Sequence, residues 1–429
     1  MNELTLFYAG LFVILILWYI KKYGLQITPG FILIGFYTLI AILGIPAYNM
    51  MKYDNFFHQY NFQNITLIPY IFLFITTVAF LSPTFNYHKI TSCKPIHYSK
   101  KRIKIFSYIY ILCAFVSIYF YYRTNVHIYM NEDLAEVRNN MYLGEQINAY
   151  NNNFERIFLS VTSHFNIVAT IIFFLLLAKE RENYSKFFFI LLAIAIVIPA
   201  IGDAMRTISR GMIISLIINL ALGYSFFSNY YSNKVKKKML LTISIILIVV
   251  LFYSMLVTEA RFGEGDDSIS SLICYWGQPP IIFNSQVAAL NESLGGIRFF
   301  QPIAEYLGIN TSYRIHELGK YFLPCFDTFI GDLYFDFSYL GVTVLAVIVP
   351  LLIKRFIEKR SFLKIGHLYI MCFYCLFLQH GALVTKSGYC TEVLFAIAMY
   401  ILLNKLISTS KKSSTLIPQH YNLTLFISS

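Results

Sequence analysis

Apolar residues along this chain come in long blocks rather than in alternation or in one-sided stripes. Eleven such runs fall near 4–20, 30–48, 65–82, 105–122, 157–178, 187–201, 211–227, 239–257, 338–353, 365–380 and 389–404. A helix of roughly 20 residues crosses the hydrocarbon of a bilayer, and most of these runs reach or approach that length. The pattern predicts an all-α polytopic membrane protein with about eleven transmembrane helices. Residues 1–122 hold the first four, 123–156 a long periplasmic loop and 157–257 the next four. A second long periplasmic loop follows at 258–337, and 338–429 hold the last three helices with a short tail. The sixth run is short, and 268–290 is apolar enough for a re-entrant or interfacial helix, so ten or twelve spans are alternatives. No basic stretch precedes the first run and no small-residue cleavage site follows it, so it is expected to stay as a span.

Composition agrees. Of 429 residues, 57% are hydrophobic and 13% charged, about half the charge of a soluble domain. A surface so poor in charge has to face lipid. Seven cysteines supply no disulfide framework; Cys372 and Cys375, spaced CxxC, lie inside an apolar run and read as small buried residues.

Charge sets the orientation, because basic residues resist translocation. Loops after the odd-numbered runs carry 23 of the 34 Lys and Arg, and those after the even-numbered runs carry 11. This places the N-terminus outside and the C-terminus in the cytoplasm. The net charge of +12 is then ordinary membrane topology. No nucleic-acid motif accompanies it, and no nucleic-acid partner is expected.

The two kinds of basic residue are sorted by side. Inside, 19 of 23 are Lys; outside, eight of 11 are Arg: Arg123, Arg138, Arg156, Arg206, Arg210, Arg261, Arg298 and Arg314. A chain rich in Ile, Asn and Lys would be expected to use Lys everywhere. Guanidinium offers a planar fork of donors that fits phosphate or carboxylate, whereas Lys is a hydrated point charge. The outer arginines therefore point to anionic groups at the outer membrane surface; pairing with outer acidic residues or reaching to headgroups is the alternative. In AIGDAMRTISRG, Asp203, Arg206 and Arg210 fall on one helical face at the lip of the seventh run, provided the helix runs through. Ionisable residues so near the hydrocarbon are functional candidates, although an Asp203–Arg206 pair would leave only Arg210 for that role.

The outer loops add weaker signals. Leu134, Val137 and Met141 recur at helical spacing around Arg138 and suggest a short amphipathic helix. The loop 258–337 is long and rich in aromatic residues, such as Tyr275, Trp276, Phe299, Phe300 and Tyr306, which suit sugar stacking and membrane interfaces equally. His316, beside Glu317 and two residues after Arg314, could serve acid–base chemistry. Asp332 and Asp336 fall on one helical face, with Asp327 just before. No metal-ligand spacing, P-loop or nucleophile elbow is present, and no cofactor or metal is expected.

Four fragments taken in order, EVRNNMY, MRTISRGMIISLIINLAL, YWGQPPIIFN and FDTFIGDLYFDFSYLG, resemble the repeat-unit polymerases of O-antigen and capsule synthesis, the Wzy family. The resemblance covers about 130–345 and implies a GT-C-like fold. One departure is that Asp336-Phe337 is followed by Ser338, and only later by Gly341, where that family has a DFGxxG-like run. An R-x15-G spacing is met by Arg261 and Gly277 but not from Arg210 or Arg314. The family joins undecaprenyl-pyrophosphate-linked oligosaccharides at the outer leaflet of the bacterial inner membrane. Arg210, Arg314 and His316 are then expected in the chemistry, and Arg138, Arg206, Arg261, Asp332 and Tyr334 in substrate binding. Partners implied are the carrier-linked glycan, the bilayer, a chain-length regulator and a flippase. An O-antigen ligase and a lipid-linked oligosaccharide flippase are the competing readings. The second is disfavoured by the absence of an internal repeat or midplane charges.

Overall fold

The fold starts from helices that satisfy their own backbones. A computed structural model describes residues 3–53, 65–131, 153–207, 210–239, 267–290, 293–309, 327–383 and 389–407, with 241 and 248 as isolated positions. Its elements in chain order begin with α1 (Glu3–Tyr23), α2 (Pro29–Tyr53), α3 (Leu67–Leu81), α4 (Tyr87–Cys93), β1 (Ile96–His97) and α5 (Lys100–Asn131). Then come α6 (Asn153–Lys179), α7 (Lys186–Arg206), α8 (Arg210–Phe227), α9 (Asp267–Gly277), α10 (Pro279–Ile282) and α11 (Gln301–Tyr306). The chain closes with α12 (Phe329–Glu358), β2 (Leu363–Lys364), α13 (Ile365–His380) and α14 (Tyr389–Leu406).

Among the described residues nine helices are long and apolar enough to cross a membrane, and α13 is a shorter apolar helix of 16 residues. These correspond to ten of the eleven expected spans. The eighth, 239–257, lies outside the described residues apart from single positions, as does the expected helix around Arg138. The sixth run, short by hydropathy, is a 21-residue helix, α7. The segment 268–290 is a broken helix packed into the bundle. Its Gly277 lies against the Leu43 carbonyl and Ala47 of α2, where any side chain would collide; small residues allow such close crossings. The turn Phe283–Val287 is π-helical and buried, and Asn284 caps α3 by taking the Thr66 N–H at 2.9 Å and donating to its carbonyl at 2.7 Å.

Polar groups inside the bundle are shared between helices. Proline at 199 leaves the Ala195 carbonyl of α7 without its helical donor, and in the same turn Asn166 of α6 donates to the Ile196 carbonyl at 2.6 Å. Asn219 of α8 donates to Thr170 Oγ1 at 3.1 Å, and Cys372 of α13 reaches Asn219 Oδ1 at 3.5 Å. Tyr37 and Tyr374 donate to the Leu378 and Phe80 carbonyls, both at 2.7 Å, so α2, α3 and α13 are joined near helix ends. The CxxC pair is thus buried helix packing, as its setting suggested.

One end of the bundle collects the lysine-rich loops. Strand β1 pairs in parallel with β2, and Lys94 donates to the Ile357 and Glu358 carbonyls at the C-terminus of α12 (3.1 and 2.6 Å). Arg102 does the same for Lys405 in α14 at 3.1 Å. Cations suit these positions because the last carbonyls of a helix lack partners and carry partial negative charge. Tyr230 donates to the Thr91 carbonyl, and Lys89 sits over Tyr23. Loops after the first, third, fifth, seventh, ninth and eleventh spans therefore meet at one end, as alternation requires. Arg123, Arg156, Arg206 and Arg298 lie at the other.

Glu180 is the anchor of the lysine-rich end. It accepts from Lys100 at 2.8 Å, Tyr98 at 2.9 Å and Asn183 at 2.5 Å. Burial works to raise its pKa, yet these donors together bring it below the ordinary value of 4.5. A carboxylate lowered on folding stabilises the protein above its unfolded pKa, and that contribution fades as pH falls through the folded value. Glu180→Gln should therefore cost about 1–3 kcal/mol at neutral pH. In detergent-purified protein, the gap in melting temperature from wild type should shrink steadily below about pH 4.5. A gap independent of pH would contradict this assignment.

Candidate functional site

At the arginine-bearing end, a break in one helix builds a polar site. Within α12, Ser338 has φ 53° and ψ −173°, a region used almost solely by glycine. The helical ladder is interrupted there, so the carbonyls of Phe335 and Asp336 turn to other donors. Leu294 N–H takes the first at 2.7 Å and Gly296 N–H the second at 3.1 Å. Gly295 and Gly296, at φ 63° and 89°, supply the turn that bends 293–300 back over the start of α12.

This loop delivers Arg298. The Asp336 carboxylate accepts the backbone N–H of Arg298 at 3.0 Å and of Phe299 at 2.7 Å. The guanidinium then lies 2.9 Å from Asp332 Oδ1 and over the Phe335 ring at 5.4 Å. Asp332 Oδ2 accepts from Tyr389 at the head of α14, at 2.6 Å. Phe299 O takes the Cys390 N–H, and Phe329 N–H donates to Gly381 at the end of α13. Loop 293–300, α12, α13 and α14 are thereby fixed at one place. The Asp332 side chain is 2% exposed and that of Arg298 12%, so the pair is largely shielded from water.

Asp327 completes the group. It is fully buried, with Oδ1 on the Thr328 N–H at 2.6 Å and Oδ2 without a hydrogen-bond partner among the described residues. Gly331 makes room for it, since a side chain there would overlap its carboxyl group. Burial, and then the neighbouring Asp332 charge, push its pKa well above the usual carboxylate range, against the weaker pull of Thr328 and Arg298.

Next to this group, through Gly381, stands His380. Its Nε2 is 2.8 Å from Ser215 Oγ, in the second turn of α8. Arg210 opens α8 at its backbone, whereas α7 ends at Arg206 with Thr207 as its C-cap, so Asp203 and Arg206 share no continuous helix with Arg210; the Arg210 side chain is outside the described part. Arg206 pairs with Asp203 at 3.3 Å, so the anticipated alternative for that pair is realised. Asp332 sits in the ion pair, whereas Tyr334 is buried, reaching the Ala288 and Leu290 carbonyls at 3.4 Å. Arg138, Arg261, Arg314 and His316 lie outside the described residues. The structure thus joins Asp332 and Asp336 to Arg298, Asp327 and Tyr389, and it adds Ser215 and His380. Sequence reasoning placed Arg298 among the outer arginines without choosing it. His380 could have been found as an ionisable residue closing an apolar run.

What the fold defines is a class, an all-α multi-pass membrane protein. No family model matches the chain, and no curated protein or solved structure matches it either.

Two variants test this geometry by thermal unfolding. Ser338→Gly should raise stability by about 1 kcal/mol, as strain of roughly 1–3 kcal/mol is relieved and partly offset by unfolded-chain entropy. Arg298→Ala leaves Asp332 charged and poorly paired and should cost about 3–5 kcal/mol, while the double change Arg298→Met with Asp332→Leu should cost clearly less. Equal losses in the single and double variants would mean that the pair is not a shielded ionic unit.

Proposed function

We propose that this protein polymerises lipid-pyrophosphate-linked oligosaccharide repeat units at the outer leaflet of the bacterial cytoplasmic membrane, with its N-terminus outside and its C-terminus inside. The observation that carries the reading is where the charge sits. Arginines and the buried Arg298–Asp332–Tyr389 group gather at one end of the bundle. Among the described residues no Lys, Arg, Asp or Glu lies midway along a span. Chemistry on a lipid-linked substrate needs its polar groups at one membrane surface, whereas a transporter needs groups that follow its cargo through the bilayer.

The reaction would displace a lipid pyrophosphate from the anomeric carbon of the growing glycan. The acceptor hydroxyl forms the new C–O bond and loses its proton to a base. The pyrophosphate leaves with the electron pair of the broken bond. Guanidinium forks suit the leaving group, since they hold two oxygens at once and need no protonation event. Arg210 has the best setting, at the N-terminus of α8 where backbone N–H groups also favour an anion. His380 and His316 are the candidate bases, the first already aligned with Ser215. The ion pair at Arg298 holds the outer ends of α12 and α14 in register and so acts as a positioning group. Asp332, as the partner in that ion pair, supports the site in the same way, while Arg206, paired with Asp203 within α7, faces the substrate.

Two measurements test this. Deletion of the gene should abolish long polysaccharide chains while single repeat units still reach the cell surface, seen as loss of the ladder on gels with a single-unit band retained. Absence of single units as well would point to transport and sink the polymerase reading. Arg210→Lys keeps the charge but loses the fork, and should reduce chain formation by the equivalent of about 2–4 kcal/mol.

A further inference from the structure

Helices α5 and α7, which run parallel with α6 returning between them, touch where Gly202 meets the Tyr121 ring, a contact that admits no side chain at 202. Around this contact lies a cavity of about 610 Å³, walled by Ile118 and Tyr122 of α5 and by Ile194, Val197, Ile201 and Met205 of α7. That volume is typical of a ligand site. The α7 wall runs from Ala193 to Met205, about 18 Å along the helix axis at 1.5 Å per residue. Its flank opens sideways: Ile118, Ile194 and Ile201 are each a little over 40% exposed and Tyr122 69%. A long apolar trough open to the bilayer has the shape of a site for an extended hydrocarbon chain.

Its two ends differ. Towards the middle of the bundle the trough is apolar. At its outer end stands Asn125, 6% exposed, with an amide oxygen that has no partner among the described residues. Arg123 follows Tyr122 on α5, and Arg206 follows Met205 on α7 with its Asp203 partner. Both helices therefore bring a cation to the mouth. An apolar shaft below two guanidinium groups and an amide complements an amphiphile with a phosphate head.

We infer that the α5–α7 trough holds the isoprenoid chain of the lipid-phosphate carrier, with its phosphate end at Arg123 and Arg206. The inference rests on the polymerase reading, which supplies such a carrier. It adds the place where the chain lies and the route by which the carrier reaches Arg210, four residues beyond Arg206. A carrier in the outer leaflet would enter sideways between α5 and α7, with its head already at the level of the site. The Asn125 amide oxygen, an acceptor, takes a hydrogen bond from a water bound beside the head.

Photocrosslinking of the full-length purified protein tests this. The probe is undecaprenyl phosphate carrying a diazirine on its chain, presented in phosphatidylcholine nanodiscs, with crosslinked peptides mapped by mass spectrometry. Label should fall on peptides containing 118–125 and 193–205, and unlabelled undecaprenyl phosphate should compete it away. Ile201→Trp, which fills the trough from its lipid-facing wall, should reduce labelling at least tenfold. Ile190→Trp, exposed on α7 outside the trough, should leave it unchanged and serves as the folding control. Label on other helices, no effect of Ile201→Trp, or equal competition by phosphatidylglycerol would overturn the assignment; the last would make the trough an ordinary bilayer-lipid site. Polymer formation in cells is scored separately. Polymer with label elsewhere refutes the trough alone, while correct label without polymer in wild type refutes the reaction and leaves the carrier site standing.

Discussion

Nothing in a hydrocarbon phase can accept a hydrogen bond, and every part of this molecule answers to that constraint. It makes each span a helix that closes its own backbone. It also decides how the helices adhere, because lipid solvates an apolar side chain as well as a neighbouring helix does. Cohesion falls instead to close packing and to the few polar groups that find partners across helices. Asn166, Thr170, Asn219 and Cys372 form one such seam, and tyrosine hydroxyls on helix-end carbonyls form others. In the turn that Pro199 interrupts, a neighbour's amide donates to the Ile196 carbonyl.

The same rule turned locally produces the candidate site. A regular helix through Ser338 would consume the carbonyls of Phe335 and Asp336. The glycine-like backbone at Ser338 releases them, and loop 293–300 folds back to use them. Strain at one residue therefore creates the platform on which Arg298 meets Asp332 and Tyr389. Strained backbone of this kind persists only where its surroundings enforce it. Here the enforcing contacts come from Asp336 and from the tie between Phe329 and Gly381.

The two ends of the bundle use charge differently. The lysine-rich end spends its cations on helix C-termini and on Glu180, so its loops are stitched to one another. The opposite end has arginines in partly shielded pairs, Arg206 with Asp203 and Arg298 with Asp332. Between that end and the middle of the bundle runs the α5–α7 trough. A surface for an anionic head and a slot for an apolar chain thus share one corner of the fold.

Hydropathy alone determined the helical class, and ten of the eleven expected spans are found as apolar helices. Alternation of basic loops showed which loops share an end, because crossing a bilayer leaves a chain only two sides to occupy. It also made 268–290 ambiguous, and only packing against α2 and α3 resolved it into a broken helix within the bundle. The spacing of Asp332 and Asp336 was legible as a shared face, since helical geometry is local. Their partners were not. Arg298 is 34 residues from Asp332 in sequence and Tyr389 is 57, and no periodicity links positions joined by a strained turn and a loop folding back. Ser215 and His380, 165 residues apart, meet only because α8 and α13 pack side by side. The sequence by itself determined what must be buried in lipid and which residues sit near its edges. Tertiary structure decided which of those edge residues touch, because contact between distant segments depends on packing that local pattern does not encode.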